Sequence, residues 1–447
     1  MSVALSPVLG PLLAAVGLML LGSRRAADAI GIGGAAAALL AACLLAAAPP
    51  PPDGWLRADP LALLLVLLTG CIGLTTVVAS LASPSEAQDR SGRSRLSRAL
   101  PHTLLGCLML ALLSDNAGLT CVALEAATIA GALAVALSDA ASARQAAWTM
   151  LMACGLGLVF ALLGTALLYL AAQPALGPGL AALRWSTLLP AAARCNGALL
   201  SLAFVFLLVG YGTVAALVPL HGWVAEARTR APMPVAVLSG GLAIVGVSVI
   251  LRVRGLLAAN AQAIAPGPPI MALGLASLLL AACALWRRPD PRRCLVLAAI
   301  GQGGVAAFAF GLGGPAILAG LLHLIVQALA GTAAWQCLGG ERRGLIAGML
   351  ALAGLPPFGL IASEFMILGQ TLRQAPPLAF PLGALLLSLA WALLRQLPAL
   401  SAGSREAPVA ITLPAAMQLA LTVVLGLAMP GAVFAWLAAA AAGATSP

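Results

Sequence analysis

Apolar runs of about twenty residues, each ended by arginine or by proline and glycine, follow one another along almost the whole 447-residue chain. A helix crossing the hydrocarbon core needs roughly 20 mostly apolar residues. Cutting at the charged and Pro/Gly-rich breaks gives candidate spans at 3–22, 29–48, 59–82, 99–114, 116–138, 145–172, 196–219, 231–253, 268–286, 294–313, 315–338, 344–372, 377–397 and 409–430. A short apolar tail, 432–443, follows and is expected to pack on the last span. The first run carries no small-x-small cleavage site and reads as a retained helix. The expected fold is an all-α integral membrane protein of about fourteen transmembrane helices. Composition points the same way: 62% of residues are hydrophobic and 8% charged, against roughly 25% charged in a soluble domain.

The 23 cations are all arginines, and the net charge is +10. They stand singly or in pairs between apolar runs, which excludes a phosphate-binding face and hence a nucleic-acid partner; the lipid bilayer is the partner this pattern implies. Connections after odd-numbered spans hold 17 of them, among them Arg24, Arg90, Arg228, Arg288 and Arg405; connections after even-numbered spans hold six. The positive-inside rule places the odd connections in the cytoplasm and both termini on the periplasmic side of a bacterial inner membrane.

Two spans carry helix-breaking residues within them. The seventh holds Gly210, Gly212 and Pro219, and the twelfth holds Pro356 and Pro357 in A-G-L-P-P-F-G, 353–359. Backbone irregularity at depth is tolerated only inside protein or beside water. Breaks five spans apart point to an inverted-repeat transport fold. The expected units are a three-helix segment at 1–98, five-helix repeats at 99–254 and 268–397, and a C-terminal helix with tail at 408–447. Two unrelated kinks are the competing reading.

Ionisable residues inside apolar runs are few. Glu125 lies near mid-span, where a carboxylate costs about 2.5–3.5 kcal/mol on insertion scales; it is either a proton-handling group or a protonated, hydrogen-bonded core residue. His323 also lies inside its span, with Gln327 one turn later on the same face. Glu364 follows the second break, where an irregular backbone admits water. His221, Asp115 and Gln302 are secondary polar candidates for a path or gate. The nine cysteines form no CxxC pair and read as small buried apolar residues. No nucleophile triad, phosphate loop, metal-ligand spacing or haem ligand pair stands out, so neither metal nor cofactor is expected.

These residues resemble a family. The segment 217–238 reads L-V-P-L-H-G-W-V-A-E-A-R-T-R-A-P-M-P-V-A-V-L, similar to the P-L-H-x-W-L-P-D-A-H-x-x-A-P-x-P-V-S-A-L pattern of the antiporter-like subunits of respiratory complex I, Mrp antiporters and group 4 membrane-bound hydrogenases. Ser114-Asp-Asn-Ala-Gly-Leu, Leu124-Glu125 and Ala147-Trp148 look most like the hydrogenase branch, of the hydrogenase-4 component F kind. Leu321-Leu-His323 and Gly354-Leu-Pro-Pro-Phe…Ser363-Glu-Phe-Met-Ile-Leu match the eleventh and twelfth helices. The resemblance covers about 59–400 and implies a proton path in which Glu125 stands first, Glu364 last and His323 between them. It also implies partners: other membrane subunits of a complex I-like or hydrogenase-like assembly. The chain departs from the pattern at its lysines. G-x-G-T-K becomes Gly210-Tyr-Gly-Thr-Val214, H-A-L-T-K becomes Gln327-Ala-Leu-Ala-Gly331, and S-S-I-E-H-M-G becomes Ala298-Ala-Ile-Gly-Gln-Gly-Gly304. No buried arginine is expected to replace them. The leading expectation is a proton-translocating subunit without redox chemistry of its own. A non-conducting membrane anchor and a stand-alone cation or solute carrier are the alternatives.

Overall fold

The computed structural model describes residues 3–20, 23–52, 55–81, 92–138, 142–287, 290–338, 342–398 and 409–444. The expected run ends at 22 and 82, the boundary at 408, and Arg90, Arg288 and Arg405 lie outside the described residues. Nineteen α-helices account for most of them: α1 Ser6–Leu20, α2 Arg24–Ala47, α3 Pro60–Ser80, α4 Gly92–Leu113, α5 Ala117–Ala136, α6 Ala143–Leu176, α7 Trp185–Ala191, α8 Gly197–Val214, α9 Gly222–Arg230, α10 Met233–Leu238, α11 Gly240–Ala258, α12 Gly267–Leu285, α13 Pro291–Leu312, α14 Ala316–Cys337, α15 Arg342–Leu352, α16 Leu360–Gln374, α17 Pro376–Leu394, α18 Val409–Leu427 and α19 Gly431–Gly443. Twelve helical segments are long and apolar enough to span, or up to thirteen if a bent pair is one span. The expected twelfth span is the difference: it is the two short helices α15 and α16. The tail also departs from expectation. The pair Leu413–Leu427 and Gly431–Gly443 bends by 84°, so α19 packs on α3 and α14, with Trp436 against Leu45, Ala58 and Leu63.

Small residues let the bundle pack tightly, as interhelical contact in lipid requires. A side-chain carbon added at Gly210 would lie 2.6 Å from both the Gly157 carbonyl and the Ala161 nitrogen, and one at Gly274 would lie 2.5 Å from the Gly304 carbonyl. Thus α6 crosses α8, and α12 crosses α13, at backbone contact. The outward faces are apolar, with Trp148, Met152, Leu156 and Val159 of α6 exposed. Cys43 and Cys283 are exposed too, a correction to the expectation that every cysteine is buried; Cys283 lines an open recess beside Arg287 and Asp290.

Connections of like parity meet at the same end. At one end Arg252 donates to both carboxylate oxygens of Asp59 at 3.0 Å, Arg57 lies 3.6 Å from Asp115, and Asn260 donates to the Ala192 and Cys195 carbonyls. At the other, Arg292 donates to the Thr229 and Ala231 carbonyls and Arg230 to Ser142. The first group joins connections after spans two, four, six and eight; the second joins those after five, seven and nine. The arginine division therefore separates two physical ends.

Candidate functional site

The second helix break builds the most chemically versatile cluster. Helix α15 stops at Leu352, and the chain turns through Gly354, whose φ of +67° lies in the left-handed region where a side chain is strained. The turn is closed by Leu355 N–H to the Leu350 carbonyl and by Gly359 N–H to the Thr422 carbonyl on α18. Glu364 then projects from the first turn and a half of α16 back toward the break: a carbon added at Gly354 would lie 2.5 Å from Glu364 Oε2. Glycine is needed here twice, for the backbone and for the carboxylate beside it.

Gln302 of α13 joins the cluster's parts. Its Nε2 donates to the Leu352 carbonyl (2.8 Å) and to Glu364 Oε1 (3.3 Å), while its Oε1 is buried with no partner. Its backbone carbonyl lies 3.2 Å from His323 Nε2, and His323 Nδ1 lies 2.9 Å from Ser363 Oγ. The carbonyl can only accept, so Nε2 carries a proton. Ser363 Oγ also lies 2.7 Å from the Leu360 carbonyl. With a cationic imidazole, Nδ1–H donates to Ser363, whose hydroxyl donates to Leu360; with a neutral one, the same hydroxyl turns and donates to Nδ1. One hydroxyl rotation therefore accommodates both states of His323. Gln302 Oε1 is an acceptor left open beside the same carboxyl, which a flip of the amide would turn toward a protonated Glu364. Such a group of donors and acceptors can hold, release and pass a proton.

The first break is differently lined. Gly210 and Gly212 do not interrupt the helix: α8 continues to Val214, and the irregular stretch runs from Ala215 to His221. Gly210 serves the α6 crossing instead. Ala216 has φ +56°, Leu217 N–H donates to the Gly212 carbonyl, Val218 N–H to Ser277 Oγ of α12, and Trp223 Nε1 to the Thr213 carbonyl. Pro219 lies inside this stretch, as Pro356 and Pro357 lie inside the second. Behind it Cys121 Sγ contacts Tyr211 Oη (3.1 Å) and Thr165 Oγ1 (3.7 Å). His221 stands at the start of α9 beside an open recess of about 680 Å³ also lined by Arg287, Asp290 and Arg293. Partial burial pushes its imidazole below the ordinary histidine range.

The other predicted residues separate. Glu125 is half-buried on α5, beside Gly155 of α6, away from the cluster around Glu364. Asp115 is fully buried at the end of the bundle, accepting from Ser186 N–H (3.0 Å) and Ser186 Oγ (2.6 Å) and paired with Arg57. It therefore ties connections together rather than lining a path. Gln327 lines a central cavity of about 80 Å³ between α11, α13 and α14. Three residues were not anticipated as functional: Ser363, Gly354 and Arg228. The first two stood in the quoted motif. Arg228 corrects the expectation of no buried arginine: it is 7% exposed, and it stands where the family pattern has the histidine of D-A-H.

A bundle of apolar helices with two internal breaks, and a buried carboxylate and histidine beside one of them, has the architecture of transporter-type membrane proteins. Residues 114–343 match the family model described as NADH:quinone oxidoreductase/Mrp antiporter, transmembrane. The "Hydrogenase-4 component F homolog" of Methylacidiphilum infernorum is 36% identical over 410 residues, covering 85% of this chain and 86% of that one. NADH-quinone oxidoreductase subunit N of Deinococcus radiodurans is 29% identical over 366 residues, covering 75% and 69%. Among solved structures, a chain of an archaeal membrane-bound sulfane sulfur reductase has TM-score 0.84 at 19% identity, covering 98% of this chain and 97% of that one. A chain of Thermus thermophilus respiratory complex I has TM-score 0.81 at 20% identity, covering 99% of each. This chain belongs to the NADH:quinone oxidoreductase/Mrp antiporter membrane-subunit family.

Proposed function

We propose that this chain carries protons across the membrane as an antiporter-like subunit of a multi-subunit complex of hydrogenase or NADH:quinone oxidoreductase type, with redox chemistry in its partners. The reading rests on the Gln302-bridged cluster of His323, Ser363 and Glu364, which offers an acceptor and a donor for either protonation state. The hydrogenase-4 and NADH-quinone oxidoreductase relatives supply the kind of assembly. Glu125 is the carboxylate of the opposite side, and segments 99–254 and 268–397 act as repeats whose breaks are equivalent. The arginine-rich end faces the cytoplasm and the termini face outward across a bacterial inner membrane.

The test uses the complex purified with its native partners and reconstituted into vesicles. Glu364→Gln keeps an acceptor oxygen for Gln302 Nε2 but cannot take up a proton. Proton translocation falls to background while electron transfer continues; full translocation in that variant overturns the reading.

A further inference from the structure

Arg228 reaches into the middle of the molecule from α9. Its Nε donates to the Ala236 carbonyl at 2.7 Å, and its guanidinium lies 5.4 Å from the Trp335 ring centroid on α14. Neither Nη has a protein acceptor, and no carboxylate pairs with it, among the described residues. The residue lines the central cavity of about 80 Å³ and a second of about 30 Å³ that shares Ala215, Gly240, Ala243 and Ala299 with it. The smaller cavity in turn shares Ile300 with the open recess at His221.

Arg228 is the one cationic residue among those lining the central cavity, and no lining residue is acidic. Guanidinium N–H groups can only donate. Unpaired buried donors are costly, and an uncompensated buried cation more so. Water can satisfy the Nη donors but leaves the charge in place. A monovalent anion accepts from them and cancels it. The space is sufficient, since a single water occupies at least about 10–15 Å³ by the same kind of measure.

We infer that the central cavity binds one small monovalent inorganic anion, held by the Arg228 guanidinium. Gly331 lines this cavity and Val214 the smaller one beside it, the two positions where the family pattern has lysines. Unlike lysine, arginine does not give up its proton in proteins, so the variable charge at the centre of this chain is the anion and not a side chain.

Chloride is the probe. The complex, purified with its native partners in gluconate buffer, is titrated with radiolabelled chloride at constant ionic strength and compared with Arg228→Gln. Wild-type complex takes up about one more chloride per chain, saturably, than the variant. Equal uptake by an Arg228→Gln complex that assembles normally overturns the assignment, as does an absence of saturable uptake by the wild type. Should Arg228→Gln fail to assemble, Arg228→Lys keeps the charge and removes the forked pair of Nη donors. It raises the half-saturating chloride concentration about tenfold, the effect of losing one hydrogen bond to a charged group; an unchanged value overturns the assignment. Chloride uptake is read without proton pumping, so its failure is distinct from failure of the proton-path reading.

Discussion

The two helix breaks share a backbone device and differ in what surrounds it. Each stops a helix inside the bundle, turns through a residue of positive φ, and hands an N–H group to a neighbouring helix: Val218 to Ser277 at the first, Gly359 to Thr422 at the second. Inside the bundle beside the first stand Tyr211, Cys121 and Thr165, groups that stay neutral at ordinary pH, while the imidazole of His221 stands at the far end of the stretch on the open recess. Beside the second stand Glu364, His323, Ser363 and Gln302, with one acceptor left open. Interruption by itself is therefore only a way of placing polar backbone at depth. Whether the place can move a proton depends on the titratable side chains that the neighbouring helices bring to it.

Glycine substitution should separate the two regions most sharply. Gly354→Ala places a side chain at φ +67° and within 2.5 Å of the Glu364 carboxylate. Strain of this kind costs of order 1–3 kcal/mol, and the carboxylate must also leave its place beside Gln302. Gly212→Ala meets nothing nearer than a leucine methyl at 3.5 Å, within a helix where alanine is favoured by about 1 kcal/mol. Thermal unfolding of the purified complex should fall clearly for Gly354→Ala and hold or rise for Gly212→Ala, with proton translocation lost only in the former. Comparable losses would mean that the two breaks are not distinguished by the groups beside them.

These glycines also mark where sequence reasoning stops. The spans were legible because apolar length and charge are local properties of the chain, and Glu364 and His323 because ionisable residues in apolar runs are expensive. Gly210 was read as a break because glycine is equally suited to interrupting a helix and to touching another one; only the position of Gly157 on α6 decides which. Gln302 was read only as a secondary polar candidate, since its bridging role depends on Leu352, Glu364 and His323 converging from three other segments. Arg228 was hidden for a different reason. It belongs to a polar, proline-bounded stretch that reads as interfacial, and its burial depends on α9 turning inward after the break. The twelfth span, 344–372, was read as broken at Pro356 and Pro357, and it is two short helices, neither long enough alone to cross a membrane.

The backbone donor at the first break gives a smaller effect. Ser277→Ala removes the acceptor for Val218 N–H and leaves the Ser277 contact with the Leu273 carbonyl unmade. Leaving a buried donor unpaired costs roughly 1–3 kcal/mol, so thermal stability should drop by several degrees while proton translocation by the surviving complex persists. Loss of translocation with unchanged stability would show that the first break takes part in conduction, and the contrast between the two regions would fail.

The smallest effect is expected at Tyr211, and it is the most discriminating. Its ring is 1% exposed and its hydroxyl contacts Cys121 Sγ at 3.1 Å. Tyr211→Phe keeps the ring and removes the hydroxyl together with its need for a partner. Replacing a neutral hydrogen-bonded group in this way changes stability by only about 0.5–1.5 kcal/mol, and sulfur is a weak partner. If the Cys121–Tyr211–Thr165 group only seals the core behind the first break, proton translocation in Tyr211→Phe equals that of the wild type at every pH tested. If instead the phenol relays protons toward Glu125, translocation falls while unfolding temperature barely moves. The neutral side of the molecule would then belong to the path, and the mid-membrane route would run through both breaks.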